Sequence, residues 1–167
     1  MKTTQKIVFS SMLAALACVA TMIIKIPSPL GGYINLGDCI VLLAASVLSP
    51  GYGFFAAAIG SALADIFSGY AVYAPATFVI KGVMVLVAFG AYKLLSTKIK
   101  PFFSRVIGGA LAEIFMILGY FVFEGFLYGF GAVLVNIPAN AVQGVAGLVI
   151  GTMLIKIFEK NKIFTLN

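Results

Sequence analysis

The sequence predicts an all-α integral membrane protein with six transmembrane helices, a fold class supported by its composition, its segmentation and the placement of its basic residues. Of its 167 residues, 62% are hydrophobic and only 10% are charged, and the mean hydropathy is +1.14. A soluble domain has about a quarter of its residues charged. Much of the surface must therefore face lipid, which excludes a soluble enzyme, a nucleic-acid-binding domain and a disordered tail.

Six apolar segments are separated by Gly, Pro or charged residues. They cover approximately residues 7–26, 37–49, 52–68, 74–95, 104–127 and 132–157. The first is too long for the core of a signal peptide and fits a transmembrane helix of about 20 residues. The second and third are shorter and are separated by a turn signal at residues 49–53. Residues 1–167 are therefore predicted to form a single transmembrane domain.

Basic residues lie mostly at the ends of alternate segments. They are Lys2, Lys6, Lys93, Lys98, Lys100, Arg105, Lys156, Lys160 and Lys162. Positively charged residues are enriched on the cytoplasmic side of membrane proteins. Both termini are therefore predicted to be cytoplasmic, and the net charge of +6 is explained by topology rather than by a nucleic-acid partner.

Polar side chains recur at helical spacing in the last three segments. They are Thr77 and Lys81 in the fourth segment, Glu113, Tyr120 and Glu124 in the fifth, and Asn136, Asn140 and Gln143 in the sixth. With a rise of about 1.5 Å per residue, Lys81, Tyr120 and Asn140 should lie at similar depths, about 9–12 Å below the external surface. Because ionisable groups are costly inside a membrane, these polar faces predict a pocket that opens outward.

Structural explanations are also open for these residues. Lys81 could form an ion pair with Glu113, and Glu124 could be solvated near a helix end. Amide side chains of the sixth segment could form hydrogen bonds between helices. Of the remaining acids, Asp38 could cap the second helix, and Asp65 could anchor a loop.

Small residues share one face of the first helix, at Ser10, Ala14 and Cys18. Such faces let helix backbones approach closely in lipid, and this one could pack within the bundle or against another subunit. The chain has no His and only two Cys, which excludes the common zinc sites and a disulfide framework. It also lacks a catalytic motif and a P-loop, so it cannot hydrolyse ATP by itself.

Four stretches carry a resemblance to a known family. They are residues 33–38 (YINLGD), 60–65 (GSALAD), 73–82 (YAPATFVIKG) and 138–143 (PANAVQ). With this spacing the chain resembles the substrate-binding S component of energy-coupling factor (ECF) vitamin transporters. Within that family it resembles the members assigned to pyridoxine or hydroxymethylpyrimidine, in the riboflavin-transporter-like group.

The resemblance implies a non-enzymatic subunit of the bacterial plasma membrane that binds a small aromatic vitamin or precursor. It implies an outward pocket built from the last three helices, with the loop at residues 26–36 closing over the substrate. It also implies docking through Ser10, Ala14 and Cys18 onto a membrane T component, which carries two cytosolic ATPases. We expect no cofactor or metal in this chain, and ATP hydrolysis by the partner subunits.

Substrate-binding side chains are expected on the first external loop and on the last three helices. They are Tyr33, Asn35, Tyr73, Thr77, Lys81, Glu113, Tyr120, Asn136, Asn140 and Gln143. The alternative function is a small proton-coupled secondary transporter in which Lys81 and Glu113 form the titrating pair. A membrane enzyme is a weaker alternative, because catalytic motifs are missing.

Overall fold

The computed structural model describes residues 3–160. Met1, Lys2 and residues 161–167 lie outside the described residues, so the predicted positions of Lys2 and Lys162 are not placed by the structure. The described chain is helical apart from one short hairpin. Its helices are α1 (Thr3–Ile23), α2 (Gly37–Val47), α3 (Pro50–Phe67), α4 (Ala74–Leu95), α5 (Pro101–Tyr128), a 3-10 helix (Ala132–Asn136) and α6 (Ile137–Lys160).

Five helices within residues 3–160 are long and apolar enough to cross a membrane, namely α1, α3, α4, α5 and α6 with the preceding 3-10 helix. The second predicted segment, residues 37–49, instead contains the 11-residue helix α2. A helix of this length is shorter than the roughly 20 residues that cross the hydrocarbon core. Every residue of α2 is buried, because α1, α3, α4 and α6 all pack against it. It is therefore the central helix of the bundle.

The outer surfaces of the long helices are apolar. In α1, for example, Ile7, Met12 and Leu16 are all about half exposed, and in α6 the side chain of Val145 is 65% exposed. Exposed apolar surface on this scale is stable only against lipid or another protein. The surface is thus that of a helical bundle that sits in a bilayer.

A short antiparallel hairpin covers one end of the bundle. Strand β1 (Ile26–Pro27) pairs with β2 (Tyr33–Ile34) between α1 and α2. The turn contains Gly31 at φ +124° and Gly32 at φ +71°, a region that residues with a Cβ rarely adopt. The sequence therefore folds residues 24–36 back over the helix ends, and we call this segment the cover loop.

Helices α1 and α3 cross closely at Gly60. A Cβ on Gly60 would overlap the carbonyl O of Ala14 and would lie 3.0 Å from the Cβ of Ala17. Close backbone approach of this kind is how helices pack in lipid, where the hydrophobic effect does not drive their association. The small face predicted on α1 therefore packs inside the bundle at Ala14.

We expect Gly60→Ala to lower the free energy of unfolding by about 1–3 kcal/mol, because the added methyl group separates α1 from α3. The matched control is Gly90→Ala in α4, where a Cβ would meet nothing within 4 Å. That change should be neutral or stabilising by up to about 1 kcal/mol. Thermal unfolding in detergent measures both variants, and equal stability would contradict the close crossing.

Candidate functional site

A buried ion pair joins α2 to α4 below the cover loop. Asp38 lies in the first turn of α2 and is 0% exposed, and Lys81 of α4 is 2% exposed. The Lys81 ammonium donates to Asp38 Oδ1, and the amide of Gln143 in α6 donates to Asp38 Oδ2 at 2.7 Å. Buried charges are tolerated when they are paired and hydrogen-bonded. Both oxygens of Asp38 are therefore satisfied.

The same network continues into the cover loop through Gln143. Its Oε1 accepts hydrogen bonds from the backbone N–H and the side-chain amide of Asn35, at 3.0 and 3.2 Å. Asn35 Oδ1 in turn accepts from the backbone N–H of Gly37, at the start of α2. One continuous set of bonds thus links α4, α2, α6 and the cover loop.

Asn136 holds the tip of the cover loop. Its Oδ1 accepts from the backbone N–H of Leu30 at 3.2 Å, and its Nδ2 lies 3.4 Å from the carbonyl O of Gly31. Asn136 Nδ2 also donates to Glu124 Oε2 at 2.9 Å, and the hydroxyl of Tyr73 lies 3.4 Å from Glu124 Oε1. Glu124 is 3% exposed, so the interpretation of Glu124 as a solvated helix-end residue is wrong. It is buried because the loop folds back over it.

Tyr33 attaches the cover loop to α3. Its hydroxyl donates to Asp65 Oδ1 at 2.7 Å, and its ring lies 4.7 Å from the ring of Tyr70. Burial raises the pKa of the Tyr33 phenol, and the bond to the Asp65 carboxylate raises that pKa further, so the phenol remains a donor at neutral pH. Asp65 thus anchors the loop, as the structural explanation from the sequence proposed. Its second oxygen, Oδ2, has no hydrogen-bond partner among residues 3–160.

A small polar cavity lies between the cover loop and the helices beneath it. Its lining residues come from the loop and from α3 to α6. They are Ser28, Gly32, Tyr33, Asn35, Asp65, Tyr73, Thr77, Tyr120, Glu124, Asn140 and Gln143. The cavity has a volume of about 20 Å³, which is room for about one water molecule. A larger molecule can enter only if the cover loop moves outward.

Most of the predicted site residues meet at this cavity. The exceptions are Asn136, which holds the loop, and Lys81 and Glu113, which lie outside the lining. Lys81 lies 5.5 Å from the ring centre of Tyr120, and Thr77 and Tyr120 share a hydrogen bond of 3.0 Å. The three polar faces therefore converge, as the helical spacing predicted, while substrate binding by these residues stays a prediction.

Glu113 does not form an ion pair with Lys81, so the alternative explanation that paired these two residues is wrong. Lys81 pairs with Asp38 instead, and both carboxyl oxygens of Glu113 are buried without a hydrogen bond inside residues 3–160. Gly144 and Gly147 of α6 leave the space that the Glu113 carboxyl occupies. Glu113 remains close enough to the pair to belong to the same polar core.

Sequence reasoning missed the role of Asp38 below the cavity, and it also left Asp65 and Glu124, which line the cavity, out of the expected binding residues. The interpretation of Asp38 as a helix cap is wrong, because α2 starts without a side-chain cap bond. The carboxylate of Asp38 binds Lys81 and Gln143 instead. The available signal was an acid at the start of an otherwise uncharged apolar segment, which requires a partner when buried. That reasoning identifies the need for a cation but does not select which one.

A groove between α1 and α3 contains the predicted partner face. Ser10, Ala14 and Cys18 line it together with apolar side chains that include Phe55 and Ile59, and its volume is about 540 Å³. All three small residues are partly exposed. The face therefore packs partly on α3 and partly remains open toward the surroundings of the bundle.

Comparison with known proteins identifies the family. Residues 1–160 match the family model described as the ECF-type riboflavin transporter, S component. The chain belongs to this S-component family. S components are substrate-binding parts of membrane transporters rather than enzymes, and this membership confirms the resemblance seen in the sequence at the level of the family.

Similar proteins support that assignment. The solved S component of a bacterial ECF transporter has a TM-score of 0.76 and 26% identity, covering 95% of this chain and 98% of that chain. The S component for biotin from an ECF-type ABC transporter shares the fold, with a TM-score of 0.65, 19% identity, and coverage of 93% and 95%. An uncharacterized protein in the gap 3′ region of Pyrococcus woesei is 38% identical over 144 residues, 85% of this chain and 93% of that protein.

The buried ion pair between Lys81 and Asp38 leads to a prediction about stability. We expect Asp38→Ala to cost about 3–5 kcal/mol of unfolding free energy, because it leaves the Lys81 ammonium buried without a counter-ion. The double variant Asp38→Leu/Lys81→Met buries neither charge and should recover most of that loss. Thermal unfolding of the two proteins in the same detergent is the measurement. A single variant as stable as the wild type would contradict the pairing.

Proposed function

We propose that this S component captures a small aromatic vitamin or precursor, of the hydroxymethylpyrimidine or pyridoxine type, from outside the cell for ATP-driven uptake. The observation that carries the proposal is the cavity beneath the cover loop. It combines aromatic rings with amide, hydroxyl and carboxyl groups in a bundle whose outer surface is apolar. A concave site with a few converging polar groups is typical of small-molecule binding.

The cavity offers both kinds of contact that a heteroaromatic ring requires. The tyrosines that line it are Tyr33 of the cover loop, Tyr73 just before α4 and Tyr120 of α5. Asn140 also lines it, and no side-chain hydrogen bond among residues 3–160 uses the Asn140 amide. An amide in this position is available to a ligand. A site built to hydrogen-bond its ligand discriminates strongly against analogues that leave those groups unpaired.

The cover loop is the proposed entrance. Its attachments are a few side-chain hydrogen bonds, from Tyr33 to Asp65, from Asn35 to Gln143 and from Leu30 to Asn136. Each such bond contributes only about 1 kcal/mol net, and the hairpin has two residues in each strand. Opening the loop is therefore inexpensive compared with unfolding the bundle. The closed loop would then exclude water from a bound ligand.

Energy coupling is proposed to come from partner subunits. The partners are a membrane T component and two cytosolic ATPases, with both termini of this chain in the cytosol. The groove that contains Ser10, Ala14 and Cys18 is the proposed docking surface for the T component. It is apolar and open, and its lining shares no residue with the lining of the cavity. Docking and ligand binding therefore use different surfaces.

The secondary-transporter alternative depends on Lys81 and Glu113. The ammonium of Lys81 is bound to Asp38, and Glu113 stands beside that pair without a hydrogen bond in the described residues. Lys81 and Glu113 therefore do not form a pair, and the secondary-transporter alternative would depend on the Glu113 carboxyl alone.

Asn140→Ala tests the ligand site with little risk to folding. We expect the loss of one polar contact to weaken ligand binding by about 1–3 kcal/mol while the melting temperature changes little. The control is Glu159→Gln, which alters the ion pair with Arg105 at 3.0 Å, away from the cavity. Isothermal titration with the ligand that co-purifies measures both. Wild-type affinity in Asn140→Ala would remove this residue from the site.

Reconstitution in liposomes tests the coupling. The chain alone should bind ligand without accumulating it, even across a proton gradient, whereas adding the T component, the ATPases and ATP should start uptake. Ala15→Trp fills the docking groove from an exposed position and should abolish both uptake and partner co-purification with ligand affinity unchanged. The control Val145→Trp lies on the exposed face of α6 and should behave as wild type.

Two results would contradict this assignment. Accumulation by the chain alone in response to a proton gradient would favour the secondary transporter. Normal uptake by Ala15→Trp with a full set of partners would show that the T component docks elsewhere.

A further inference from the structure

The buried charges of this basic protein are mostly negative. The whole sequence has five acidic residues and a net charge of +6. Four of the five acids, Asp38, Asp65, Glu113 and Glu124, are at most 5% exposed and lie around or just below the cavity. The fully buried cation in this region is Lys81. The interior under the cover loop therefore has more carboxyl groups than cations to neutralise them.

The Lys81 ammonium, the one buried lysine side chain among residues 3–160, already binds a carboxylate. Lys81 donates to Asp38 and does not line the cavity. Lys25, the basic residue of the cover loop, is exposed and donates to the Ser68 hydroxyl at 3.2 Å. No Lys or Arg is among the cavity-lining residues of the described chain. An anionic group of a ligand would thus lie beside carboxylates, with no Lys or Arg of the described chain in the lining to neutralise it.

The two carboxyl groups that line the cavity retain capacity for further donors. Glu124 accepts from the neutral donors Asn136 and Tyr73. Asp65 is 5% exposed, lines the cavity and accepts from Tyr33 on Oδ1. The Thr77 hydroxyl also interacts with this carboxyl, but Oδ2 has no hydrogen-bond partner among residues 3–160. A buried carboxyl oxygen without a donor is costly. A ligand that brings an N–H group to this oxygen would remove that cost.

The geometry points to a substrate that is a cationic or amino-bearing heteroaromatic, with its N–H donors on Asp65 and Glu124. This inference rests on the proposed function and adds the charge class of the substrate. The rings of Tyr33, Tyr73 and Tyr120 suit such a molecule, because aromatic faces attract cations as well as stacking on flat rings. Of the two substrate types proposed above, the amino-bearing hydroxymethylpyrimidine fits better than pyridoxine.

Asp65 is the specificity-determining residue in this arrangement. Carboxylates and N–H cations form hydrogen bonds that are about twice as strong as neutral ones. The same carboxylate repels the carboxylate or phosphate of an anionic vitamin, and such like-charge contacts are an effective means of rejecting a wrong ligand. The Asp65 carboxylate would then give selectivity in two ways. It would attract a cationic or amino-bearing ligand, and it would repel an anionic one.

A series of ligands on one ring tests the charge class. Pyridoxamine, pyridoxine and pyridoxate carry an aminomethyl, a hydroxymethyl and a carboxylate group at the same ring position, and hydroxymethylpyrimidine adds an aromatic amine. Riboflavin and flavin mononucleotide share one fused ring system and differ by the anionic phosphate group of flavin mononucleotide. We expect detectable titration heats for hydroxymethylpyrimidine and pyridoxamine, weaker binding of pyridoxine, and none of pyridoxate or flavin mononucleotide.

Asp65→Asn sharpens the test because Asn keeps the acceptor for Tyr33 but replaces Oδ2 by an NH₂ donor. We expect it to weaken binding of the amino ligands by about 10- to 100-fold, the loss of a charge-assisted bond, with no loss for pyridoxine. Glu124→Gln should act in the same direction. Glu159→Gln, an acid pairing with Arg105 outside the cavity, is the matched control and should bind as wild type.

The outcomes separate the two proposals. Binding of pyridoxate or flavin mononucleotide as tight as that of the amino ligands, or full affinity in Asp65→Asn, would overturn the charge inference and leave the S-component function intact. Failure of folded wild-type protein to bind any ligand of the series, together with failure of uptake in the reconstituted complex, would contradict the proposed function itself.

Discussion

The buried ion pair between Lys81 and Asp38 is the constraint on which the rest of the structure depends. A lysine that is 2% exposed and an aspartate that is 0% exposed are stable in the bundle only when they meet. Because they lie on α4 and α2, their contact fixes the central helix against the wall of the bundle. Gln143 occupies the second oxygen of Asp38 and transmits that position to α6 and to Asn35 in the cover loop. The same hydrogen-bond network therefore stabilises the fold and determines the shape of the site.

The pair also determines the chemistry available above it. Asp38 neutralises Lys81, and no Lys or Arg among residues 3–160 lines the cavity. The ionisable acids of its lining are therefore Asp65 and Glu124. Their partners in the protein are neutral tyrosine and asparagine groups, most of which also hold the cover loop. In the proposed site, loop closure and ligand recognition are therefore coupled, because a bound ligand would share these carboxyl groups with the side chains that hold the loop.

The helices and their polar faces could be predicted from the sequence because hydropathy and helical spacing are local properties. Tyr120, Asn140 and Thr77 converge for that reason. The partner of Lys81 could not be predicted, since Asp38 is 43 residues away and its depth depends on α2 being enclosed by four other helices. Glu124 was assigned to solvent because nothing near it in sequence shows that the cover loop returns across it. The family resemblance supplied the loop's covering role, which composition alone does not contain.

The most direct measurement is a cryo-electron microscopy or crystal structure of the chain with the small molecule that co-purifies from its native membrane. The molecule should lie between the cover loop and α3 to α6, in contact with Asn140 and Asp65, while Lys81 remains bound to Asp38. A ligand found in the groove between α1 and α3, or one that has displaced Asp38 to bind Lys81 directly, would contradict the assignment of this cavity as the substrate site.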